Sequence, residues 1–208
     1  IGYFFGYKAI GVFQTQEEID SYISPATGKP IQPNAAPGDT KFEDLNGDGV
    51  ISDDNEDRTM IGKPNPDWMV GLTVAADWNG FDLSAFFQGS FGADVFDALR
   101  RYELAAVNYT SDALERWTGP GTSNSMPRIV LGDTPKNFRP STLLVHDASF
   151  LRLRNLQVGY TLPAQLTRKA YIQRLRFYAS FDNLLTITGY KGMDPEIGST
   201  MGIDKGVY

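Results

Sequence analysis

The residues on either side of Asn79-Gly80 alternate between apolar and polar positions. Even-numbered positions from 68 to 78 and odd-numbered positions from 81 to 91 carry apolar side chains or glycine, and the positions between them are mostly small or polar. Asn-Gly favours a type I′ turn, in which both central residues have positive φ. A two-residue loop there pairs Trp78 with Phe81 and sets the register of both strands. The pattern therefore predicts an antiparallel β-hairpin within residues 67–92.

The length and the aromatic residues of this hairpin indicate two membrane-spanning strands. A tilted strand of about 9–11 residues crosses a bilayer, and each side of the turn offers a stretch of about that length. Trp78 and Phe81 lie at one end of the apolar face, and Trp68 and Phe91 lie at the other. Aromatic residues at both ends of an apolar band are typical of outer-membrane barrels. A hairpin with one face in the core of a soluble β-sandwich has the same periodicity, so the alternation alone leaves both interpretations open.

A second hairpin is predicted within residues 150–182. Apolar side chains alternate with polar ones from Leu156 to Leu162, and alternation returns in residues 174–182. The phase slips by one residue near Arg154-Asn155, which predicts either a β-bulge or the end of the lipid-facing zone. The whole chain offers about five or six strands, fewer than the roughly eight that the smallest single-chain barrels need. We therefore expect an all-β, antiparallel segment of a transmembrane β-barrel rather than a closed barrel.

The connections between the predicted strands differ in length. Asn79-Gly80 and the turn after Pro163 are short, whereas residues 93–147 form a long excursion in which residues 95–107 are predicted to be helical. Short turns on one side and long loops on the other are the rule in outer-membrane barrels, whose long loops are extracellular. A short helix is also predicted after Thr15, which can cap it. The chain begins at Ile1 rather than methionine, which indicates a fragment.

The composition excludes several classes of site. The chain has no cysteine and a single histidine, His146, so thiolate metal sites, thiol nucleophiles and multi-histidine zinc sites are excluded. The formal net charge of −6 disfavours a nucleic-acid partner, because phosphates need a basic surface.

Residues 44–57 form an acidic loop that resembles a calcium loop. Asp44, Asn46 and Asp48 supply side-chain oxygens at alternate positions, and Gly49 follows them where an EF-hand loop makes its sharp turn. The twelfth position, where an EF-hand has a bidentate glutamate, is Asn55. The candidate ligands for a structural Ca²⁺ are Asp44, Asn46, Asp48, the Val50 carbonyl, Asp53 and Asp57. A solvated acidic turn without a metal is the alternative.

Six stretches resemble the SusC/RagA family of TonB-dependent outer-membrane transporters. They are PGDTKFEDLNGDGVI at 37–51, DRTMIGKPNP at 57–66, NGFDLSAFFQG at 79–89, RW at 116–117, DASFLRLRNLQVGYTLP at 147–163 and YKGMDPE at 190–196. The likeness spans nearly the whole chain, so residues 1–208 resemble the C-terminal part of such a protein. The plug domain, the TonB box and the final strand of the family have no counterpart in this sequence.

The resemblance implies the fold, location and partners of the complete protein. It implies a 22-stranded barrel with an internal plug in the bacterial outer membrane, surrounded by outer-membrane lipid. It also implies uptake of oligosaccharides or oligopeptides, powered through the TonB complex, together with a SusD-like surface lipoprotein that closes the barrel. Aromatic rings and fixed polar groups suit such cargo, and the candidate ligand-binding residues are Tyr102, Tyr109, Arg116 and Trp117. Loop packing alone is the alternative for each of them.

Two other functions are compatible with parts of the sequence. A soluble extracellular calcium-stabilised β-rich module that binds glycans would use the same loop and the same aromatic residues. A glycosidase could use a carboxylate pair such as Asp53 and Asp57, but such pairs flank a cleft about 5–9.5 Å wide. Acidic residues clustered on one turn more often bind a cation, so the sequence predicts no enzyme.

Overall fold

The computed structural model describes residues 2–54, 56–97, 108–192 and 194–196. The chain divides into two compact units. We call residues 65–94 and 147–196 the sheet unit, and residues 2–64 and 95–146 the loop unit. None of the helices in the described ranges has the length and apolar character needed to cross a membrane.

The secondary structure of the described residues is mostly β. The strands are β1 (Phe4–Tyr7), β2 (Ala9–Val12), β3 (Thr40–Phe42), β4 (Arg58–Gly62), β5 (Trp68–Trp78), β6 (Phe81–Phe91), β7 (Asp94–Phe96), β8 (Val145–Asp147), β9 (Phe150–Thr161) and β10 (Arg176–Thr188). The α-helices are α1 (Gln16–Ser21) and α2 (Ala164–Thr167), and short 3₁₀ helices cover Ser111–Glu115, Leu131–Asp133, Thr142–Leu144 and Arg168–Ala170.

The sheet unit is built on one antiparallel sheet in the order β10-β9-β6-β5. Trp78 pairs with Phe81, and the register runs without a shift to Trp68 opposite Phe91, as the Asn-Gly turn predicts. Asn79 and Gly80 have φ values of 52° and 88°, the positive values that a type I′ turn requires. The hairpin predicted from residues 67–92 is therefore confirmed with its register.

A bulge lies where the sequence pattern slips. Phe86 of β6 pairs with Asn155, and the next residue, Phe87, pairs with Leu153, so Arg154 is an extra residue on β9. A bulge inserts one residue into a strand, so the side chains beyond it lie on the opposite face of the sheet from the one that regular alternation would give them. This confirms the predicted bulge. Arg152, which pairs with Gln88, and Arg154, which donates to Gln88, both lie on the polar face of the sheet. The hairpin partner β10 continues to Thr188, beyond the predicted end at residue 182.

The two faces of the sheet differ in character. The first face carries paired apolar side chains on all four strands, and many of them are largely exposed, including Leu72 at 59%, Phe177 at 61% and Ile187 at 60%. The opposite face carries charged, amide and hydroxyl side chains that hydrogen-bond to one another. A continuous exposed apolar face is unusual for a soluble monomer and marks a membrane or binding surface.

The loop unit has a small core beneath short strand pairs. Strand β1 pairs with β4, and β2 pairs with β3. Tyr7, Phe13, Ile19 and Phe42 are almost completely buried. Helix α1 begins after Thr15, whose side chain accepts a hydrogen bond from the Glu18 amide at 3.2 Å. The N-cap predicted at Thr15 is therefore confirmed.

The helix predicted across residues 95–107 is wrong at its start. Val95 and Phe96 lie in β7, which pairs with β8. The pairing of backbone groups between these three-residue strands outweighs the local helical pattern. Residues 98–107 lie outside the described part of the chain. The described residues also contain more strands than the five or six predicted, because strands of three to five residues are too short to show a period.

Candidate functional site

Side-chain oxygens shape the start of the acidic loop. Asp44 accepts hydrogen bonds from the amides of Gly47 and Gly49, both at 2.8 Å. Asn46 Oδ1 accepts from the Asp48 amide at 3.0 Å, and Asp48 Oδ1 accepts from the Val50 amide at 2.8 Å. The oxygens at alternate positions thus bend the backbone into successive turns, and the side chains of Asn46 and Asp48 are in direct contact.

The two remaining acidic candidates have separate roles. Asp57 is fully buried and accepts hydrogen bonds from the amides of Leu45 at 3.2 Å and Ser52 at 3.0 Å, which ties the two ends of the loop together. Asp53 is exposed and forms an ion pair with Lys136. The hydrogen bond from Lys136 holds the pKa of Asp53 below its usual value. These contacts direct the Asp53 carboxylate toward Lys136.

The donor set of the loop suits a hard cation, but its geometry is held by internal hydrogen bonds. The Asn46 amide nitrogen donates to Asp48 Oδ2 at 2.9 Å and to Glu56 Oε2 at 3.0 Å. A cation would need oxygen at this position, so the Asn46 amide would have to turn over. Across the described ranges no three acidic or histidine side chains form a metal-binding group.

The aromatic and arginine candidates are partly used in packing. Trp117 Nε1 donates to Gln14 Oε1 at 3.1 Å, and the Trp117 ring lies so close to Gly38 that a Cβ there would come within 2.4 Å of it. Arg116 donates to the Ala113 carbonyl at 3.0 Å. Tyr109 is 46% exposed. Tyr102 lies outside the described residues.

Gln14 organises the chain around Trp117, a role that no sequence pattern signals. Its Oε1 atom accepts from both Trp117 and the Gly121 amide, the latter at 2.8 Å. Its amide nitrogen donates to the Val12 carbonyl at 2.7 Å and to the Ser123 carbonyl at 3.0 Å. One side chain therefore joins β2 to the turn at residues 118–124.

An ion pair between a buried carboxylate and a half-buried arginine fixes another part of the loop unit. Asp39 accepts from Arg128 Nε at 2.6 Å and Nη2 at 3.1 Å, and from Asn137 Nδ2 at 3.1 Å. Asp39 and Asn137 are almost fully buried, and the hydrogen bonds that Arg128 donates to Asp39 raise the pKa of Arg128. A bidentate pair of this kind gives geometric specificity, and the sequence carries no signal that Asp39 and Arg128 meet.

On the polar face of the sheet, two arginines bind the segment that follows β10. Arg152 donates to Thr186 at 2.8 Å, to Asp194 at 2.8 Å and to Glu196 at 2.5 Å. Arg154 donates to Gln88 at 2.7 Å, to Asn183 at 3.1 Å and to Glu196. Arg152 and Arg154 are two residues apart on β9, so both guanidinium groups lie on the same face.

The electrostatics of this cluster favour ionised carboxylates. Burial opposes ionisation of Asp194, but hydrogen bonds from Arg152 and from the Glu196 amide outweigh it, so the pKa of Asp194 lies below its usual value. A second ion pair lies nearer the hairpin turns, where Arg176 donates to Asp82 at 2.5 Å and 3.0 Å. The alternation of leucine and arginine at residues 151–154 predicts arginines on this face, but no sequence pattern identifies their acidic partners.

Comparison with known proteins places these features in context. The chain is 33% identical to TonB-dependent receptor P3 of Formosa agariphila over its whole length, and 30% identical to TonB-dependent receptor SusC of Bacteroides thetaiotaomicron over 98% of its length. It covers 21% of the first relative and 18% of the second, about a fifth of their length. No family model matches the chain.

Two solved structures also superpose on nearly the whole of this chain. A chain of the RagAB peptide importer in the open-open state superposes with a TM-score of 0.65 and 25% identity, over 94% of this chain and 20% of that one. A chain of the RagAB peptide transporter superposes with a TM-score of 0.66 and 26% identity, over 95% of this chain and 20% of that one. The likeness thus covers nearly all of this chain and a fifth of a much longer barrel.

Proposed function

We propose that this chain, which belongs to the SusC/RagA family of TonB-dependent outer-membrane transporters, forms part of the barrel wall of a nutrient importer. The observation that carries the proposal is the four-stranded sheet, with one exposed apolar face and one hydrogen-bonded polar face. In a membrane every backbone polar group needs a partner within the protein, and antiparallel strands in a barrel provide one. The apolar face would contact lipid, and the polar face would line the lumen.

The cargo and partners belong to the complete protein. Two similar structures are of a peptide importer, which supports oligopeptides as cargo. Oligosaccharides are the other class of cargo that the family resemblance implies. The complete transporter would also include a SusD-like lipoprotein on the outer surface of the membrane and the TonB complex on its periplasmic side. The names of the relatives describe receptors and importers, so the proposal contains no catalytic step.

The exposed apolar face weighs against a soluble glycan-binding module. A soluble module would bury that face in a dry core, yet Trp68, Trp78 and Phe177 are each more than half exposed. The proposed carboxylate pair of a glycosidase also lacks support, since Asp57 holds two backbone amides and Asp53 pairs with Lys136.

Spin labels on the two faces test the membrane placement. We would replace Val74 and Ser84 with cysteine, one at a time, in the receptor that contains this segment, and reconstitute each nitroxide-labelled protein in lipid vesicles. Val74 lies on the apolar face and Ser84 on the polar face of the same hairpin. We expect oxygen to reach the label at 74 and a water-soluble nickel complex to reach the label at 84. The reverse pattern would contradict the proposal.

We further propose that the acidic loop binds one structural Ca²⁺ through Asp44, Asn46, Asp48 and the Val50 carbonyl. The alternating oxygens on a preformed turn support this, and Ca²⁺ prefers six to eight oxygen ligands. Titration calorimetry should detect about one calcium site, weakened by Asp48→Ala. Asp53→Ala is the matched control, because its carboxylate pairs with Lys136. Absence of binding heat in the unaltered protein would overturn this proposal.

A further inference from the structure

A row of aromatic side chains crosses the sheet at the end where the β5–β6 and β9–β10 turns lie. Trp78 pairs with Phe81, Phe81 with Tyr160, and Tyr160 with Phe177, so one rung of all four strands is aromatic on the apolar face. The Phe81 and Tyr160 rings have centroids 4.5 Å apart. Tryptophan and tyrosine concentrate where lipid tails meet headgroups. The row therefore marks the level at which the apolar band ends.

The β9–β10 turn lies just beyond this row and has an unusual charge. Residues 162–175 contain Arg168, Lys169 and Arg174 and no acidic residue, within a chain whose net charge is −6. All three cations are exposed, and none pairs with a carboxylate among the described residues. Arg176, one residue past the turn, is by contrast paired with Asp82. Arg168 and Lys169 thus keep solvent-facing positive charges, and Arg174, which is also exposed, lines a surface pocket together with Asp77 and Asp82.

The same turn exposes apolar and aromatic groups. Tyr171 is 98% exposed, Leu166 is 59% exposed and Ile172 is 39% exposed. They lie on or beside the two short helices, α2 and the 3₁₀ helix Arg168–Ala170. Exposed apolar side chains interleaved with basic ones are typical of segments that lie in a membrane interface.

We propose that the turn at residues 162–175 binds the headgroups of anionic phospholipids in the leaflet on the turn side of the barrel. Tyr171 and Leu166 would enter the interface, and Arg168, Lys169 and Arg174 would contact phosphate groups. Each basic residue near an anionic surface contributes about 1 kcal/mol, which is about fivefold in affinity. The segment lies at the same end of the sheet as the two-residue Asn79-Gly80 turn, since Phe81 pairs with Tyr160. Short turns lie on the periplasmic side of outer-membrane barrels, so the lipids would be those of the periplasmic leaflet. The inference rests on the membrane placement proposed above.

Two measurements on the intact receptor test it. The first is the depth of a nitroxide at Tyr171→Cys in vesicles of phosphatidylcholine mixed with phosphatidylglycerol, with Val74→Cys as the placement control. The second is the relative association of spin-labelled phosphatidylglycerol and phosphatidylcholine with the receptor. It compares the unaltered protein with the triple variant Arg168→Gln, Lys169→Gln, Arg174→Gln. A matched triple variant removes Lys29, Lys63 and Lys191, which lie outside the turn.

We expect the label at 171 to lie at headgroup depth and the turn variant to lose several-fold of its preference for phosphatidylglycerol, while the matched variant keeps it. Added salt should reduce the preference of the unaltered protein, because surface charges are screened. A water-exposed label at 171, or equal preference in both triple variants, would overturn the inference while leaving the barrel proposal intact. A water-exposed label at 74 would overturn both.

Discussion

Arg152 Nη1 donates to Glu196 Oε2 over 2.5 Å, which fastens the segment after β10 to the polar face of β9. The Arg152 side chain is 7% exposed, and Glu196 also receives a hydrogen bond from Arg154. One glutamate therefore bridges two arginines that lie two residues apart on the same face of β9. We expect this cluster to hold residues 194–196 in place against the sheet.

Replacing Arg152 with methionine should release that segment. The change keeps an apolar stem but leaves Asp194 with no guanidinium and Glu196 with Arg154 alone. Loss of hydrogen bonds to charged groups costs about 1.5–3 kcal/mol each, and less for partly exposed partners. A nitroxide at Lys191→Cys should become clearly more mobile in Arg152→Met than in the unaltered receptor. Arg116→Met is the control, since Arg116 contacts the Ala113 carbonyl. Equal mobility of the label in all three proteins would show that Arg152 does not hold residues 194–196 against the sheet.

The mobility of the nitroxide at residue 191 should increase in acid. The pKa of Asp194 is lower in the folded protein than its ordinary value of 3.8. The stabilisation is therefore complete above the ordinary pKa and is lost as the pH falls through the folded one. Mobility at residue 191 should stay constant from neutral pH down to about pH 4 and increase below it. Asp194→Asn should remove most of this acid response. A transition near pH 6 would point to a different group.

The buried carboxylate of Asp57 should stabilise the acidic loop whether or not calcium is present. Asp57→Ala would leave the Leu45 and Ser52 amides without their acceptor, at about 1–3 kcal/mol for each buried group. In the presence of a chelator, hydrogen exchange at residues 45–52 should then accelerate by about tenfold or more, since 1.4 kcal/mol corresponds to a factor of ten. Asp57→Asn keeps one oxygen and should have a smaller effect.

A surface control separates this role from a general effect of charge. Glu17 lies exposed in the first turn of α1, and Glu17→Ala also removes one carboxylate. Exchange in the loop should not change in this variant. If Glu17→Ala and Asp57→Ala behave alike, the hydrogen bonds of Asp57 do not hold the loop.

The sequence predicted those features that depend on local periodicity. The β5–β6 register followed from Asn79-Gly80 because a two-residue turn fixes every pair behind it. The bulge at Arg154 was visible because one extra residue reverses the alternation. The pairing of Asp39 with Arg128 was not predictable, since 89 residues separate them and only the folded chain brings them together. Val95 was assigned to a helix because a three-residue strand has no period of its own.

The turn at residues 118–124 is the part of the loop unit that we expect to contact the proposed SusD-like lipoprotein. Gln14 holds it from one side through Trp117 and Gly121, and Asn124 Oδ1 accepts from the Val12 amide at 3.0 Å on the other. The turn is thus a fixed, exposed surface, and a rigid surface binds with a smaller loss of entropy than a mobile one.

Replacing residues 119–122 with a shorter linker should reduce co-purification of the lipoprotein at least severalfold while the barrel still assembles. Gln14→Ala, which keeps the turn sequence but removes its support, should give an intermediate loss. Shortening the turn at residues 25–28, which is also exposed, is the control and should leave recovery unchanged. Undiminished recovery with the shortened 118–124 turn would place the lipoprotein contact elsewhere.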